Sequence, residues 1–273
     1  MKQTTIIIPI HEFNADIKQY LDKCLDSIEE QKKSTIPDVI VVCPADIEGI
    51  EEYLLNKTSI KINIIYNKGN SSFQSQINLA VKSVKTEYFT ILELDDTLSD
   101  VYVYLVETYL NNEEFIDVDV MLPFIIETDV NGSPIKMTND PVWSRQFVGE
   151  NGSIGYLNVD ILKQYTDFKI SGGIFNKDKF IQVGGLKSNI ELTFQLELLM
   201  RLLNAGVNIF VLPKIIYKHT IGRDGSLFSG YGKTTTLADR SFWFEKAMSE
   251  YYFTEDRVIE KEVKLNKIEG NVL

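Results

Sequence analysis

Three carboxylates at the end of one apolar stretch are the first residues in this chain that could do chemistry. The stretch 88–98 reads YFTILELDDTL, and Glu93, Asp95 and Asp96 directly follow its apolar and β-branched part, 89–92. An apolar run this short favours a buried strand over a helix. Grouped carboxylates repel one another and resist removal from water, so they need a compensating partner. A divalent cation such as Mg²⁺ or Mn²⁺ supplies one, because it prefers carboxylate oxygens. The alternative is an acidic turn that caps the next helix.

Composition and charge narrow the class of protein. The chain has 273 residues, of which 44% are hydrophobic, and this is enough for the core of one large or two small α/β domains. The net charge is −11 and basic runs are absent, which disfavours nucleic-acid binding. No apolar run approaches the roughly 20 residues of a transmembrane segment, and the N-terminus lacks a signal-peptide pattern. The only cysteines, Cys24 and Cys43, indicate a reduced compartment. The sequence therefore predicts a cytoplasmic protein.

Strand and helix patterns alternate through the first hundred residues. Strands are predicted over 4–8, 38–42, 60–66 and the apolar run before the carboxylates, and helices over 17–31, 46–55 and 74–84. This alternation builds a parallel sheet, in which the loops at the carboxyl ends of the strands form a ligand crevice. Pro9, Cys43, Asn67 and Glu93 follow such ends. We therefore expect them along one edge of the sheet.

The second half of the chain has a less regular pattern. Helices are predicted over 101–110, 157–165, 178–183, 192–204 and 239–252, and strands over 118–126, 173–175, 207–212 and 215–219. Asn131-Gly132 favours a hairpin turn. The stretches 139–153 and 222–236 are predicted loops, and the charged tail after Thr254 is predicted to be loosely held.

The order of these segments resembles that of the family 2 glycosyltransferases. TTIIIPIHEFNADIKQYLDKCLDSIEEQ is similar to the family's first strand, loop and helix, and NKGNSSFQSQINLAVKSVKTEYFTILELDD to its Gly-rich loop, Asn-bearing helix and metal motif. SGGIFNKDKFIQVGGL resembles the acceptor-side segment, and LELLMRLLNAGVNIFVLPKIIYKH the helix and strand that carry the catalytic and last metal positions. The resemblance spans Thr4 to Ser226. It implies an α/β fold of the GT-A type, with a mostly parallel central sheet flanked by helices.

The resemblance also implies a division of the chain and an activity. Residues 1–100 would be the nucleotide-binding half of a GT-A domain, 101–238 its acceptor-binding and catalytic half, and 239–273 a C-terminal helix and charged tail. The implied activity is a metal-dependent, hexosyltransferase-like transfer, with inversion, from a nucleotide-diphosphate sugar to an acceptor hydroxyl. The implied cofactor is Mn²⁺ or Mg²⁺. The acceptor, whether glycan, lipid or protein, is not indicated.

The resemblance also implies which residues bind the metal ion and which contact the nucleotide sugar. The resemblance makes Asp95, Asp96 and His219 the metal ligands, and neutral imidazole suits Mn²⁺. The alternative for His219 is a surface histidine at a strand end. The implied contacts to the nucleotide sugar come from Pro9, His11, Asp46, Asn78, Glu93, Asp95 and Arg223.

Some of the residues implied to contact the nucleotide sugar also fit a role without a ligand, and one segment departs from the family pattern. His11 replaces an aromatic residue that stacks near the nucleobase, and it is equally typical of a surface loop. Asn78 is otherwise a polar helix residue, and Arg223 part of a flexible connection. Where the family commonly has Asp-Asp-Gly-Ser, this chain has the sequence CPAD at 43–46, so a preference for uridine is not implied.

The catalytic base is the larger departure. In the family, an aspartate six residues before the helix arginine accepts the proton of the acceptor hydroxyl. Counting back from Arg201 gives Gln195, an amide that cannot accept this proton. Glu191, one turn earlier on roughly the same face, is the candidate substitute. Glu197 lies four residues before Arg201, the spacing of a surface ion pair, which predicts a structural role for it.

Two other hypotheses remain open, and Gln195 with the missing Asp-Asp-Gly-Ser favours the first of them. The first is a GT-A-fold binding or structural module that has lost its base. The second is a nucleotidyltransferase or another nucleotide-binding α/β protein. A nucleotidyltransferase would carry a Gly-rich, basic loop after its first strand, and the sequence IHEFN that follows Pro9 is not one.

Overall fold

The computed structural model describes residues 3–112, 118–140, 155–226, 230 and 234–257. The strands are β1 (Thr4–Pro9), β2 (Asp38–Pro44), β3 (Ile62–Asn67), β4 (Tyr88–Ile91), β5 (Thr97–Leu98), β6 (Val120–Thr128), β7 (Pro134–Thr138), β8 (Ile174–Asn176) and β9 (Ile209–Thr220). The helices are α1 (Ala15–Glu29), α2 (Ile50–Lys57), α3 (Phe73–Val81), α4 (Tyr102–Leu110), α5 (Val159–Gln164), α6 (Lys177–Gln182), α7 (Phe194–Asn204) and α8 (Leu237–Glu250).

The nine strands of the described ranges belong to one sheet. Its order is β3-β2-β1-β4-β8-β6-β9-β5, with β7 paired to β6. β1 is parallel to β2 and β4, β2 to β3, and β6 to β9. β8 is antiparallel to β4 and β6, β5 to β9, and β7 to β6. Only β5, β7 and β8 therefore run against the common direction, which confirms the predicted mostly parallel sheet.

The central strands β1 and β4 are buried on both faces of the sheet, as their uninterrupted apolar sequences require. Every residue of β1 and of β4 is buried. Along β1, Ile7 packs into the core cluster that contains α3 and α7, whereas Ile6 and Ile8 pack into the cluster that contains α1 and α4. Asn14 fixes the start of α1, because its side chain accepts hydrogen bonds from two backbone N–H groups of the first turn.

Two predicted elements differ from the structure. The helix predicted over 46–55 begins at Ile50, after Gly49, whose φ of 75° is non-helical. The strands predicted over 207–212 and 215–219 form one strand, β9. Its register against β6 shifts so that Leu212 pairs with Pro123 and Ile215 with Phe124. Pro213 lies at this irregularity, where its missing N–H costs no ladder hydrogen bond.

Other predicted segments fall partly outside the described residues. These are most of the loop over 139–153, part of the loop over 222–236 and the tail beyond Arg257. Within the described ranges, none of the helices has the length and apolar character needed to cross a membrane.

Candidate functional site

The carboxylates that follow β4 lie in a tight turn whose position is set by β9. The N–H of Asp96 donates to the carbonyl of Glu93 across the turn, at 3.0 Å. Directly after the turn, β5 pairs with β9, with Thr97 opposite Lys218. This pairing brings His219, 123 residues further along the chain, against the acidic turn.

Asp96 is the most enclosed of the three carboxylates. It is fully buried and accepts hydrogen bonds from the Tyr217 hydroxyl at 2.6 Å, from His219 Nδ1 at 2.9 Å and from the Thr220 N–H at 2.7 Å. Burial lowers the pKa of His219, but the Asp96 carboxylate and its hydrogen bond outweigh burial and raise that pKa to about 10. The Asp96 carboxylate therefore favours the protonated form of His219.

Glu93 completes a group of three side chains. The Ser171 hydroxyl donates to its carboxylate. Burial, with repulsion from Asp96, raises the pKa of Glu93 to about 7. The ligand atoms of Glu93, Asp96 and His219 all lie within 4.8 Å of one another, so one cation can contact all three. Two carboxylates and one imidazole form a donor set that suits Mn²⁺ and Mg²⁺.

Asp95 is engaged differently. Arg223 Nε donates to its carboxylate at 2.7 Å, and Arg223 Nη1 donates to Glu12 at 3.2 Å. Burial and repulsion from Asp96 raise the pKa of Asp95, against the opposing effect of Arg223. Arg223 thus joins the loop after β1 to the loop after β4. Asp95, predicted as a metal ligand, lies outside the group of three that can share a cation.

Two cavities meet at this acidic turn. The first, which we call the His11 cavity, has a volume of about 250 Å³ and is lined by Pro9, His11, Glu12, Phe73, Glu93, Leu94, Asp95, Arg223, Gly225 and Ser226. The second, the Glu127 cavity, has a volume of about 210 Å³ and is lined by Glu93, Ile125, Glu127, Lys136, Lys169, Ser171, Gln195, His219, Thr220, Ile221 and Ser226. Glu93 and Ser226 form the wall that both cavities share.

A backbone position beside the turn holds Tyr217 in place. Gly172 has a φ of +70°, and a Cβ at this position would overlap the Tyr217 ring. The Gly172 N–H donates to Ile91 of β4 at 2.8 Å, and its carbonyl accepts from the Tyr102 hydroxyl at 2.8 Å. Only glycine combines this backbone conformation with so close an approach. Tyr217 in turn donates its hydroxyl to Asp96.

The residues predicted to bind the nucleotide sugar fall into two groups in the structure. Pro9, His11, Glu93, Asp95 and Arg223 all line the His11 cavity. The ring of His11 lies 6.3 Å from that of Phe73, and Nδ1 lies 3.2 Å from the Ser71 carbonyl. Burial lowers the pKa of His11. The ring of His11 is one wall of a pocket with an apolar side.

Asp46 and Asn78 lie elsewhere. Asp46 is exposed in the turn after β2 and lines neither cavity. The amide of Asn78 donates to the Leu186 carbonyl at 2.6 Å and accepts from the Leu186 N–H at 2.8 Å. Both ends of this side chain are therefore engaged in joining α3 to the turn after α6, which is a structural contact.

The predicted catalytic positions also differ from each other. Gln195 lines the Glu127 cavity, and its Oε1 accepts from the Ile170 N–H at 2.9 Å. Glu191 is exposed and lines neither cavity. The predicted surface pair of Glu197 and Arg201 is in fact buried, with exposures of 0% and 1%, so the surface placement was wrong. Arg201 Nη2 also donates to the Gly185 carbonyl, at 2.7 Å.

Sequence analysis overlooked two residues of the site. Glu12 is a partner of Arg223, and Glu127 lines the cavity that bears its name. Glu127 directly follows the apolar run of β6, as Glu93 follows that of β4, and the same sequence criterion would have found it.

Comparisons with known proteins agree with this geometry. A family model described as glycosyl transferase family 2 matches residues 5–170. TarS of S. aureus in complex with UDP-GlcNAc aligns with a TM-score of 0.59 at 18% identity, over 83% of this chain and 60% of that one. The mannosyltransferase PcManGT from Pyrobaculum calidifontis, in complex with GDP-Man and Mn²⁺, aligns with a TM-score of 0.63 at 15% identity, over 91% and 65%. This chain therefore spans less than two thirds of either neighbour.

A comparison with curated protein sequences gives no match. The structural neighbours, at identities this low, share the fold with this chain, and that fold is the predicted GT-A type. The family model rests on the sequence itself and covers more than half of the chain. The chain therefore belongs to glycosyl transferase family 2.

Proposed function

We propose that this protein is a metal-dependent glycosyltransferase that moves a sugar, with inversion, from a nucleotide-diphosphate sugar to an acceptor hydroxyl. The observation that carries the proposal is the meeting of two cavities at Glu93, beside a group of three side chains that can hold one cation. This arrangement supports one bound molecule with two parts and a charged centre between them. A nucleotide-diphosphate sugar has that form.

The His11 cavity is the place for the nucleotide. Pro9, His11 and Phe73 offer a largely apolar wall on which a base can pack. Arg223 is the cation of this cavity, and a guanidinium pairs well with phosphate oxygens. Its partners Asp95 and Glu12 are carboxylates that occupy the guanidinium. A bound diphosphate would compete with them for Arg223.

Glu93, Asp96 and His219 would hold the metal. A divalent ion bound there neutralises charge that develops on the diphosphate leaving group. Tyr217 and the Thr220 N–H fix the Asp96 carboxylate, and Ser171 fixes that of Glu93, so that these two ligands are oriented before any ion binds. Asp95, next to this group, remains a contact to the nucleotide or to Arg223.

The Glu127 cavity then takes the sugar and the attacking acceptor. It adjoins the His11 cavity at Glu93, and its other polar side chains include Ser171, Gln195 and Lys169. Hydroxyl-rich ligands suit such a lining, because each polar group can exchange hydrogen bonds with a sugar hydroxyl.

The second candidate is the binding module without catalysis. Gln195 at the aligned base position and the exposure of Glu191 favour it. Such a module would keep donor binding and lose turnover. The two candidates therefore differ in one measurable quantity, the rate at which nucleoside diphosphate is released.

The test is thermal unfolding with UDP-GlcNAc, GDP-mannose, UDP and GDP, each with and without Mn²⁺, followed by assay of nucleoside diphosphate release. We expect at least one nucleotide to raise the melting temperature, and the rise to be larger with Mn²⁺. The matched controls are UMP and GMP, which lack the second phosphate and should raise it less. Failure of all four nucleotides to stabilise the protein would contradict the proposal. Stabilisation without any release from either sugar nucleotide would favour the binding module.

A further inference from the structure

Glu127 is a carboxylate in the Glu127 cavity to which the proposed metal and donor contacts give no role. It is the penultimate residue of β6 and pairs in register with His219 of β9. The residue is 3% exposed, and it lines the cavity together with Glu93 and Gln195. Its position on a central strand makes it a fixed part of the cavity wall.

The contacts of Glu127 differ from those of the other acids at the site. Asp96 accepts three hydrogen bonds, Asp95 accepts one from Arg223, and Glu93 accepts one from Ser171. Within the described part of the chain, the ion-pair partner of Glu127 is Lys136, with Nζ at 3.7 Å. That ammonium lies closer to Asp167, at 2.9 Å.

A buried carboxylate whose ion-pair partner in the described residues is as distant as 3.7 Å is unusual, because burial normally requires short hydrogen bonds in exchange for lost water. Stability alone gives no reason for Glu127 at the end of an apolar strand. The cavity gives one, because a ligand hydroxyl that enters it can donate to this carboxylate. Hydrogen bonding to substrate would then supply a shorter contact than the one that Lys136 makes.

We propose that Glu127 is the catalytic base that takes the proton of the acceptor hydroxyl. This inference rests on the proposed transferase function. As the acceptor oxygen forms its bond to the anomeric carbon, the bond from that carbon to the diphosphate oxygen breaks, and its electron pair leaves with the nucleoside diphosphate. The acceptor proton passes to a Glu127 oxygen and from there to solvent. No other reactant is needed.

The alternatives within the cavity support this choice. Gln195 is an amide, and its oxygen is already bonded to the Ile170 N–H. Glu93 is the other carboxylate among the residues that line the cavity, and it belongs to the group that can hold a cation. Glu191 is exposed outside both cavities. Glu127 is the carboxylate that remains.

The experiment compares two nucleophiles on the same donors, UDP-GlcNAc and GDP-mannose. Water must lose a proton as it attacks, whereas azide is an anion with no proton to lose and yields a glycosyl azide. We expect Glu127→Gln to slow release of nucleoside diphosphate to water by about 10²- to 10⁴-fold. The same variant should keep the wild-type rate with azide and the wild-type thermal shift with donor. Glu30→Gln, an exposed substitution at the end of α1, is the matched control and should leave both rates unchanged.

Three results would overturn the inference. Equal water rates for wild type and Glu127→Gln would remove Glu127 from proton transfer. An equal loss with water and with azide would indicate a structural or binding role. Absence of release by the wild type would refute the proposed function, and this inference with it, which separates that failure from the first two. If Glu127→Gln does not fold, Glu127→Asp keeps the carboxylate one methylene shorter. It must then lose more of the water rate than of the azide rate, and an equal loss would again overturn the inference.

Discussion

Charged side chains are buried in two regions of this molecule, and the regions are built differently. Beside α7, two acids and two bases lie in contact, each at most 2% exposed: Lys187, Glu197, Arg201 and Glu250. Glu197 receives Arg201 Nε at 2.7 Å and Lys187 Nζ at 3.1 Å. The Lys187 ammonium also donates to the Glu250 carbonyl, at 2.7 Å. We refer to these four residues as the α7 ion cluster.

At the acidic turn after β4, acidic and basic side chains are not equal in number. Three carboxylates, those of Glu93, Asp95 and Asp96, face two cations, His219 and Arg223. The region also adjoins two cavities, whereas the α7 ion cluster is enclosed by α6, α7 and α8. Balanced and enclosed charges hold helices together. An excess of negative charge beside a cavity indicates a site where a bound ligand would balance that charge. The experiments below test this difference between the α7 ion cluster and the acidic turn.

The largest effect is expected from the α7 ion cluster. Glu197→Gln removes the carboxylate that two buried cations share, and should lower the free energy of unfolding by about 3–5 kcal/mol. Chemical denaturation gives this value. Lys32→Ala, which breaks the exposed pair with Asp100, is the control and should leave the denaturation midpoint unchanged. If Glu197→Gln were as stable as wild type, the cluster would not be the structural element described above.

The next effect concerns the acidic turn. Asp96→Ala should abolish the extra stabilisation that Mn²⁺ gives to a bound nucleoside diphosphate, because one member of the cation-binding group is lost. A nucleotide present at 100 times its Kd stabilises the folded wild type by about 2.7 kcal/mol in total, and the part of this that depends on Mn²⁺ should disappear in Asp96→Ala. Thermal unfolding of wild type and variant, with and without Mn²⁺, measures it. Retained Mn²⁺ dependence in Asp96→Ala would count against this metal site.

The third effect is a pH dependence of Mn²⁺ binding. Without metal, burial raises the pKa of Glu93 to about 7, and the pKa of His219 is raised to about 10 by Asp96 despite burial. Both groups hold protons at pH 6, and a metal ion must displace them, so binding strengthens as pH rises. Deprotonation of Glu93 alone should raise the Mn²⁺ affinity about tenfold between pH 6 and pH 8. Calorimetric titration at the two pH values checks this, and an affinity that falls with rising pH would exclude these ligands.

The smallest effect tests the exposed alternative base. Glu191→Gln should leave the release of nucleoside diphosphate unchanged, because Glu191 lies outside both cavities. Steady-state rates for the variant and the wild type provide the comparison. A loss of rate with unchanged donor binding would return Glu191 to the mechanism, as the sequence first suggested, and would place the acceptor on the outer side of α7.

Local pattern was enough to predict much of the fold. The apolar runs of β1 and β4 and the acids that follow β4 are visible in short windows of sequence, and so is the alternation that makes the sheet parallel. The bulge at Pro213 was not predicted, because proline alone is compatible both with a break and with an irregular pairing. Its effect depends on β6, the strand that lies opposite.

The candidate site was predictable only where a short sequence pattern or the family resemblance pointed to it. The proximity of His219 to Asp96 followed from the resemblance, and the structure brings the two side chains together. The hydrogen bonding of Asn78 to the backbone of Leu186 and the burial of Arg201 depend on tertiary contacts between distant segments. The simultaneous pairing of Arg223 with Glu12 and Asp95 depends on such contacts too. A single sequence carries no local signal for them.

Gly172 has a consequence for how this protein can change. The residue carries no reactive group, yet the Tyr217 ring that presses against it also holds Asp96. Any side chain at this position would displace Tyr217, whose hydroxyl donates to Asp96. The Asp96 carboxylate would then shift relative to Glu93 and His219. Tolerance to substitution is therefore lowest at a residue with no chemistry of its own. A survey of random variants would find Gly172 among the intolerant positions, together with the acids whose geometry it preserves.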